Sequence, residues 1–336
     1  MDESNNIATT SAPASGLRRS RTRTRNAHDE LSGLPRPSEF RVESGRETGG
    51  ARSGQKVSQR VAHVFTVDLE DWPVAVMGPH HEISDRVVEN TRRVLQLLQW
   101  HGVRATFFIL TRVAERFPHL IDEVLAGGHE IASHGHSHRL LTHMTPDEFA
   151  DDVGQSLHIL ERLTGERPIG YRAPAFSIVE TTRWAGPILS ELGIQYSSSI
   201  FPIHHRRYGI AGSPRVPHCW DDCGLIECPP ATVRLLGRNL PMAGGGYFRL
   251  LPGAIARSAI GRLERQGTPA VLYMHPYELD TGGVAAHRRA GVSVGFRRRM
   301  TQELFRGRIE SRLHRLFERF QFVTMRESLS RRGFTL

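Results

Sequence analysis

The chain has 336 residues, of which 39% are hydrophobic, and 44 Lys and Arg against 35 Asp and Glu give it a net charge of +9. This length and composition suffice for one large globular domain or two smaller ones. Two arginine clusters, at residues 17–25 and 297–299, are present without any nucleic-acid-binding motif. We therefore expect a solvated tail and charged helix faces, and no nucleic-acid partner.

The sequence also bears on the compartment. No stretch of 18 or more apolar residues is present, so no transmembrane segment is expected. The N-terminal arginines are not followed by the apolar segment of a secretory signal. The three cysteines, Cys219, Cys223 and Cys228, lack the repeated spacing of a thiolate metal site, and an odd number suits a reducing compartment. These features predict a cytoplasmic protein.

Residues 1–58 are rich in Ser, Arg, Gly and Thr and have no hydrophobic period, which predicts a disordered basic tail. From residue 59 to residue 336, strand-like and helix-like segments alternate. Strands are predicted at 61–68, 105–110, 130–133, 170–172, 194–197, 225–228, 270–274 and 320–324. Helices are predicted at 84–100, 118–126, 145–163, 182–192, 253–266 and 308–319, the third opening with a capping box from Thr145 to Glu148.

This alternation is typical of an α/β fold with a mostly parallel sheet. About seven repeats favour a closed barrel over an open sheet, and such barrels carry their chemistry at the C-terminal ends of the strands. The polar residues predicted at those ends are Asp68, Glu70, Asp71, His134, His138, Arg172 and His275.

His134 and His138 stand four residues apart, a spacing at which two imidazoles can share one divalent metal ion. Such a pair also arises by chance in a chain with 18 histidines. The hypothesis of a metal site therefore depends on the carboxylates and the further histidine at the other strand ends. His136, between the pair, is expected to contact solvent or substrate rather than the metal.

Five segments match, in order, the motifs of polysaccharide deacetylases with a NodB-homology domain (carbohydrate esterase family 4). They are Thr66–Trp72, Ser133–His138, Tyr171–Pro174, Leu225–Pro230 with Gly244–Arg249, and Leu272–Pro276. Residues 61–322 thus resemble this family, and through segments 198–202, 207–209, 244–252 and 275–280 they resemble most its subgroup associated with exosortase and exopolysaccharide loci. The resemblance implies a distorted (β/α) barrel of seven strands.

The resemblance further implies a metal-dependent N-deacetylase that hydrolyses acetamide groups of a polysaccharide or its oligosaccharide precursor and releases acetate. His134, His138 and one acidic residue would hold the metal, expected to be Zn²⁺. Leu69 stands where the family commonly has its metal-binding Asp. Strand alternation favours Glu70 as the third ligand, whereas a turn after Glu70 would bring in Asp71.

The catalytic roles follow from the same resemblance. Asp68 would act as the base, His275 as the acid, and Arg172 would pair with Asp68 and orient it. Ser197 occupies a position at which the family pattern has an Asp, and activity would be reduced if that Asp tunes the acid histidine.

Substrate contacts are expected from Trp72, Tyr171, Pro174 and Tyr247. Three alternatives remain: hydrolysis of a cyclic amide such as allantoin, hydrolysis of a peptidoglycan amide, and a catalytically idle glycan-binding protein of polysaccharide assembly. Association with an exopolysaccharide synthesis system is a further expectation.

Overall fold

The computed structural model describes residues 61–205, 207–220 and 222–336, so the predicted tail at 1–58 lies outside the described residues. The strands are β1 (His63–Leu69), β2 (Thr106–Ile109), β3 (Glu130–Ser133), β4 (Gly170–Tyr171), β5 (Tyr196–Ser197), β6 (His218–Cys219), β7 (Ile226–Glu227), β8 (Thr232–Leu235), β9 (Arg238–Pro241), β10 (Val271–Met274) and β11 (Phe322–Val323). The α-helices are α1 (Arg86–Trp100), α2 (Thr111–Arg116), α3 (His119–Ala126), α4 (Pro146–Thr164), α5 (Ala185–Glu191), α6 (Gly245–Leu250), α7 (Gly253–Arg265), α8 (Gly283–Arg289), α9 (Phe296–Glu303), α10 (Ile309–Phe317) and α11 (Met325–Arg331).

The main sheet has the order β10-β1-β2-β3-β4-β5-β7-β6, and all of its pairings are parallel except the one between β6 and β7. β11 pairs in parallel with the beginning of β1, and β8 and β9 form a separate antiparallel hairpin. The sheet curls into a half-barrel. Seven neighbouring strands of this sheet, β10, β1 to β5 and β7, are parallel. The α/β class predicted from the sequence is confirmed.

The free edge of β10 is covered without a further strand. The N–H of Ala231 donates to the carbonyl oxygen of Val271 at 2.9 Å, and the N–H of Tyr273 donates to that of Ala243 at 2.8 Å. Gly244 forms an isolated parallel bridge with Tyr273, where a Cβ on the glycine would lie 1.8 Å from the carbonyl oxygen of Tyr273. Only glycine therefore allows the chain to approach the end of β10 so closely.

Burial explains why the central strands read as continuous apolar runs. All seven residues of β1 and all four of β2 and β10 are buried, as expected for a parallel sheet covered on both faces. Around them, α4 shows how a local sequence fixes a helix. The hydroxyl of Thr145 accepts the N–H of Glu148, whose carboxylate accepts the N–H of Thr145, and Gly165 ends the helix with φ of 75°.

The predicted helices all occur, with ends shifted by a few residues. The structure adds short elements that lack a clear sequence period, namely α2, α6, α8, α9, α11, β6 and the β8–β9 hairpin. No helix in the described ranges is long and apolar enough to cross a membrane.

Candidate metal centre and active site

The first carboxylates of the site come from the end of β1. Asp68 and Glu70 are two residues apart on an extended chain, so both side chains lie on the same face. Both are buried, with 2% and 3% of their surface exposed. Glu70 Oε2 lies 2.6 Å from His138 Nε2 and 3.3 Å from His134 Nε2. Glu70, His134 and His138 are a group whose ligand atoms all lie within 4.8 Å of one another.

The loop after β3 presents the two histidines. Asp152 of α4 stabilises it by accepting the N–H groups of His136 and Ser137, both at 2.9 Å. His138 has φ of 60°, a left-handed conformation that an L-residue seldom adopts and that often marks functional positions. This backbone turn brings the imidazole of His138 back towards Glu70.

The tautomer of His134 follows from its other contact. His134 Nδ1 lies 2.7 Å from the carbonyl oxygen of Arg172, and because a carbonyl can only accept, Nδ1 must carry the hydrogen. In the neutral imidazole the lone pair is then on Nε2, which faces Glu70. A hydrogen bond of this kind is the usual way in which proteins orient a metal-binding histidine.

The structure distinguishes the two acidic residues that the sequence left open. Asp71 does not join the histidines. Its Oδ1 accepts the N–H of Trp72 at 2.9 Å and its Oδ2 that of Ser84 at 2.5 Å. Burial raises the pKa of Asp71 to about 6 despite these hydrogen bonds. Asp71 thus stabilises the turn after β1, and Glu70 is the carboxylate that reaches the histidines.

The group of Glu70, His134 and His138 fits a divalent metal ion. Two imidazoles and one carboxylate are the ligand set of several catalytic zinc sites, which keep a further position open. Glu70 Oε2 is buried, and its neighbours are the ring nitrogens of His134 and His138. Burial alone would raise the pKa of Glu70, but in the metal-free protein the charge of His138 and the nearness of His134 and His275 lower it well below its usual range. The carboxylate is therefore ionised, and a divalent cation would take the place of the proton that it shares with the imidazoles.

Arg172 follows β4 and is fully buried against Asp68. Its Nη1 donates to Asp68 Oδ1 at 2.5 Å and to Thr66 Oγ1 at 2.7 Å, while Nε and Nη2 donate to the carbonyl oxygen and the hydroxyl of Ser198 at 3.1 and 2.8 Å. The guanidinium also lies 4.1 Å from the ring centroid of Phe108. These contacts fix the orientation of the Asp68 carboxylate.

His275 follows β10 at the same edge of the sheet. Its Nε2 lies 3.4 Å from Glu70 Oε1 and 3.8 Å from Asp68 Oδ2, and its Nδ1 lies 3.8 Å from Glu278 Oε1. Burial would lower the pKa of His275, but Glu278 and the charges of Glu70 and Asp68 raise it to about 9. The imidazole is therefore protonated near neutral pH in the metal-free protein.

Two residues of the site were missed by the sequence analysis. Glu278 is 5% exposed and its carboxylate also accepts the N–H of His275 at 3.3 Å. The Pro276 that follows His275 starts a short 3₁₀ helix, and this turn signal could have indicated that the residue three positions after His275 folds back on it. Asp152 could not have been found by spacing, because it lies on a helix 14 residues after the histidine loop.

The Asp expected at Ser197 is replaced by a hydroxyl network. Ser197 Oγ donates to Ser199 Oγ at 2.8 Å, and the N–H groups of Ser199 and Ile200 donate to Glu227 Oε1, both at 2.8 Å. Burial raises the pKa of Glu227 to about 7. Glu227 therefore supports the loop after β5. The carboxylate that contacts His275 is that of Glu278.

The structure buries three of the four predicted substrate contacts. Trp72 and Tyr171 are each only 1% exposed, and Pro174 is also buried. The ring centroid of Trp72 lies 5.2 Å from that of His287, and the ring centroid of Tyr171 lies 5.8 Å from that of Phe149. Both aromatic side chains therefore pack in the core.

Tyr247 is the fourth predicted substrate contact, and it is half-exposed. Its hydroxyl lies 3.0 Å from that of Tyr208. Its role in substrate binding stays a prediction. His136 is not part of the metal-binding group, and its Nδ1 lies 3.1 Å from Thr111 Oγ1. All three cysteines are free thiols, exposed at Cys219, half-buried at Cys223 and buried at Cys228.

Two family models match the chain one after the other. Residues 78–197 match the model described as "Polysaccharide deacetylase" and residues 198–330 match a domain of unknown function (DUF3473). Over residues 78–197 the chain is therefore similar to polysaccharide deacetylases. The site spans both segments, because His134, His138 and Arg172 lie in the first and His275 in the second. Asp68 and Glu70 precede both.

Two curated proteins that resemble part of the chain are deacetylases by name. The chain is 32% identical over 125 residues to a peptidoglycan-N-acetylglucosamine deacetylase of Bacillus cereus, covering 35% of this chain and 46% of that protein. It is 40% identical over 63 residues to a chitooligosaccharide deacetylase of a Bradyrhizobium species, covering 19% and 29%. The matched segments thus span less than half of each relative.

Solved structures share the fold of the domain. A polysaccharide deacetylase described as putative, from Mycobacterium smegmatis, aligns with a TM-score of 0.50 at 24% identity over 73% of this chain and 87% of that one. An allantoinase aligns with a TM-score of 0.56 at 15% identity over 88% of this chain and 100% of that one. At these identities the likeness concerns the fold, and the chemistry has to be argued from the site.

Proposed function

We propose that the chain is a metal-dependent N-deacetylase that hydrolyses acetamide groups on N-acetylhexosamine units of a polysaccharide or its oligosaccharide precursor, releasing acetate. The observation that carries the proposal is the convergence of Glu70, His134 and His138 with Asp68 and His275 at one edge of the sheet. The deacetylase family model and the deacetylase names of the curated relatives support the same reaction class.

Glu70, His134 and His138 would hold the divalent ion, for which this mixed nitrogen and oxygen ligand set favours Zn²⁺. When bound, such an ion polarises the amide carbonyl and lowers the pKa of water. Asp68 lies beside this group and is held in one orientation by Arg172. It would accept the proton that water loses as it attacks the acetamide carbon.

His275 would complete the reaction. Its Nε2 faces the same space as Glu70 and Asp68 and carries a proton near neutral pH in the metal-free protein. As the bond between the carbonyl carbon and the nitrogen breaks, the leaving amine would take that proton. One water is consumed, and the products are acetate and a free amino group on the sugar.

The test is acetate release by the purified full chain, with metal analysis of the same sample. N-acetylglucosamine oligomers, the polymer and a lipid-linked precursor serve as substrates. Replacing His275 with Ala or Asp68 with Asn should lower kcat by about 10²- to 10⁴-fold. The matched control is His136→Ala, which removes a histidine of the same loop outside the metal-binding group and should retain most activity. Absence of bound metal together with no acetate from any substrate would refute the proposal.

We also propose, from the sequence resemblance, that the substrate belongs to an exopolysaccharide synthesis system. The support is the set of segments shared with the subgroup at exopolysaccharide loci. Deletion of the coding sequence should then leave the exported polysaccharide more acetylated on nitrogen, which NMR of the purified polymer would measure. An unchanged acetyl content would contradict this assignment.

A further inference from the structure

A cleft of about 820 Å³ lies between the β8–β9 hairpin and the loop that follows β5. Its ionisable lining contains Arg215, Arg234 and Arg238 with His204, and no carboxylate occurs among the described residues that line it. A cleft lined by one sign of charge concentrates ligands of the opposite sign. The lining therefore favours an anionic ligand.

Arg215 is fixed in this cleft rather than free in solvent. Its Nε donates to Thr232 Oγ1 at 2.9 Å and its Nη2 to the carbonyl oxygen of Thr232 at 2.5 Å. Partial burial and the nearby charges of Arg234 and Arg262 lower the pKa of Arg215. Holding these guanidinium groups together costs electrostatic free energy, and a bound anion would reduce that cost.

The hairpin is held in place above the cleft. Arg234 pairs in register with Asn239, whose side-chain amide donates to the carbonyl oxygen of Pro202 at 2.7 Å. Leu236 and Gly237 form the two-residue turn, with φ of 49° and 75°. Arg238 directly follows this two-residue turn, and like Arg234 it lines the cleft.

The cleft adjoins the candidate active site through a chain of aromatic rings. Tyr247 lines the cleft and contacts the hydroxyl of Tyr208 at 3.0 Å. The ring of Tyr208 lies 6.4 Å from that of Phe176, which lies 4.9 Å from that of Tyr273. Tyr273 is in β10, which His275 follows directly. Phe176 and Tyr273 are buried, so packed rings of the core connect the wall of the cleft to the strand that positions His275, and Tyr247 is the half-exposed residue at the cleft.

We propose that the cleft binds an anionic group of the substrate while an acetamide of the same molecule occupies the space between His275 and Glu70. The anion is either the carboxylate of an acidic sugar or a phosphate attached to the saccharide, since both provide oxygens that arginine binds. This inference rests on the proposed function for the position of the reacting group. A neutral N-acetylhexosamine polymer would offer no negative charge to Arg215, Arg234 and Arg238.

The experiment compares three substrates with the metal-loaded full chain: neutral tetra-N-acetylated chitotetraose, a tetrasaccharide of alternating glucuronate and N-acetylglucosamine, and a diphosphate-linked N-acetylglucosamine. The double variant Arg234→Gln/Arg238→Gln should raise the KM for the preferred anionic substrate about tenfold more than that for chitotetraose, because each partly exposed arginine–anion contact contributes a factor of about three to five. The matched control Arg315→Gln/Arg319→Gln removes two exposed arginines of α10 and its C-terminal end, neither of which lines the cleft.

The pattern of KM values identifies the anion. A lower KM for the glucuronate tetrasaccharide assigns a carboxylate, and a lower KM for the diphosphate compound assigns a phosphate. Equal KM values for neutral and anionic substrates, or equal effects of the two double variants, would overturn the proposal. Equilibrium binding of the same three compounds distinguishes failure of the proposed deacetylase function from failure of the proposed anion site. If no acetate is released, the proposed function fails. Tighter binding of one anionic compound that depends on Arg234 and Arg238 would still support an anion site in the cleft.

Discussion

The buried ion pair between Asp68 and Arg172 allows a quantitative prediction. The two side chains are 3% and 0% exposed, and Arg172 contacts the Asp68 carboxylate at 2.5 Å, whereas the imidazole of His275 lies farther away at 3.8 Å. Replacing Arg172 with Met leaves a buried carboxylate without its partner, which costs about 3–5 kcal/mol of the free energy of unfolding. Asp68→Asn leaves the guanidinium buried with only neutral acceptors and should also be destabilising.

The double variant Asp68→Asn/Arg172→Met removes both charges, so it should be more stable than the sum of the single losses predicts. The lost hydrogen bonds to Thr66 and Ser198 remain as a cost of about 1 kcal/mol each. We therefore expect a coupling free energy of up to about 3 kcal/mol between the two positions.

Urea unfolding at neutral pH measures this coupling, with a chelator present so that a bound ion does not add to stability. The exposed pair of Arg92 and Glu123, whose side chains are 51% and 32% exposed, provides the control cycle and should show far weaker coupling. If the losses at Asp68 and Arg172 add to within about 0.5 kcal/mol, the reasoning from burial is wrong.

Three further predictions concern the metal, the backbone and pH. Glu70→Gln should abolish stoichiometric metal binding measured by elemental analysis, whereas Asp71→Asn should retain the metal, and the reverse result would reassign the ligand. Gly244→Ala should lower the midpoint of urea unfolding and kcat together, because its Cβ would meet a backbone oxygen of β10 at 1.8 Å, whereas Gly212→Ala, with nothing within 4 Å, should change neither. Burial lowers the pKa of His63 from 6.5 to about 4. The unfolded chain takes up a proton there that the folded chain excludes, so stability falls as pH decreases from 6.5 to 4, by up to about 3 kcal/mol. A His63→Gln variant should lose this part of the pH dependence in urea titrations, and an unchanged slope would argue against it.

Much of the fold and the site could be predicted from the sequence because both follow from parallel strands. Asp68, His134, Arg172 and His275 each stand at the end of a predicted strand, and the carboxyl ends of neighbouring parallel strands meet at one edge. The structure brings these four side chains together there. Apolar runs and capping signals likewise located the central strands and the long helices.

The remaining features depend on packing that spacing does not encode. The choice between Glu70 and Asp71 depended on whether the strand continues past Leu69, and the turn that removes Asp71 is fixed by Ser84, 13 residues away. Trp72 looked like a sugar-binding ring but is covered by α8, an element whose short and polar sequence gave no helical period. Contacts of this kind form only once distant segments fold together.

Arg172 serves two halves of the site through different atoms. Its side chain holds Asp68, while its backbone carbonyl fixes the tautomer of His134. A substitution at this position changes the side chain but leaves the carbonyl in place. Under the proposed function, one substitution at Arg172 would remove the support of the base and leave the orientation of His134 unchanged, so loss of hydrolysis and retention of the metal-binding group would be separated by a single mutational step.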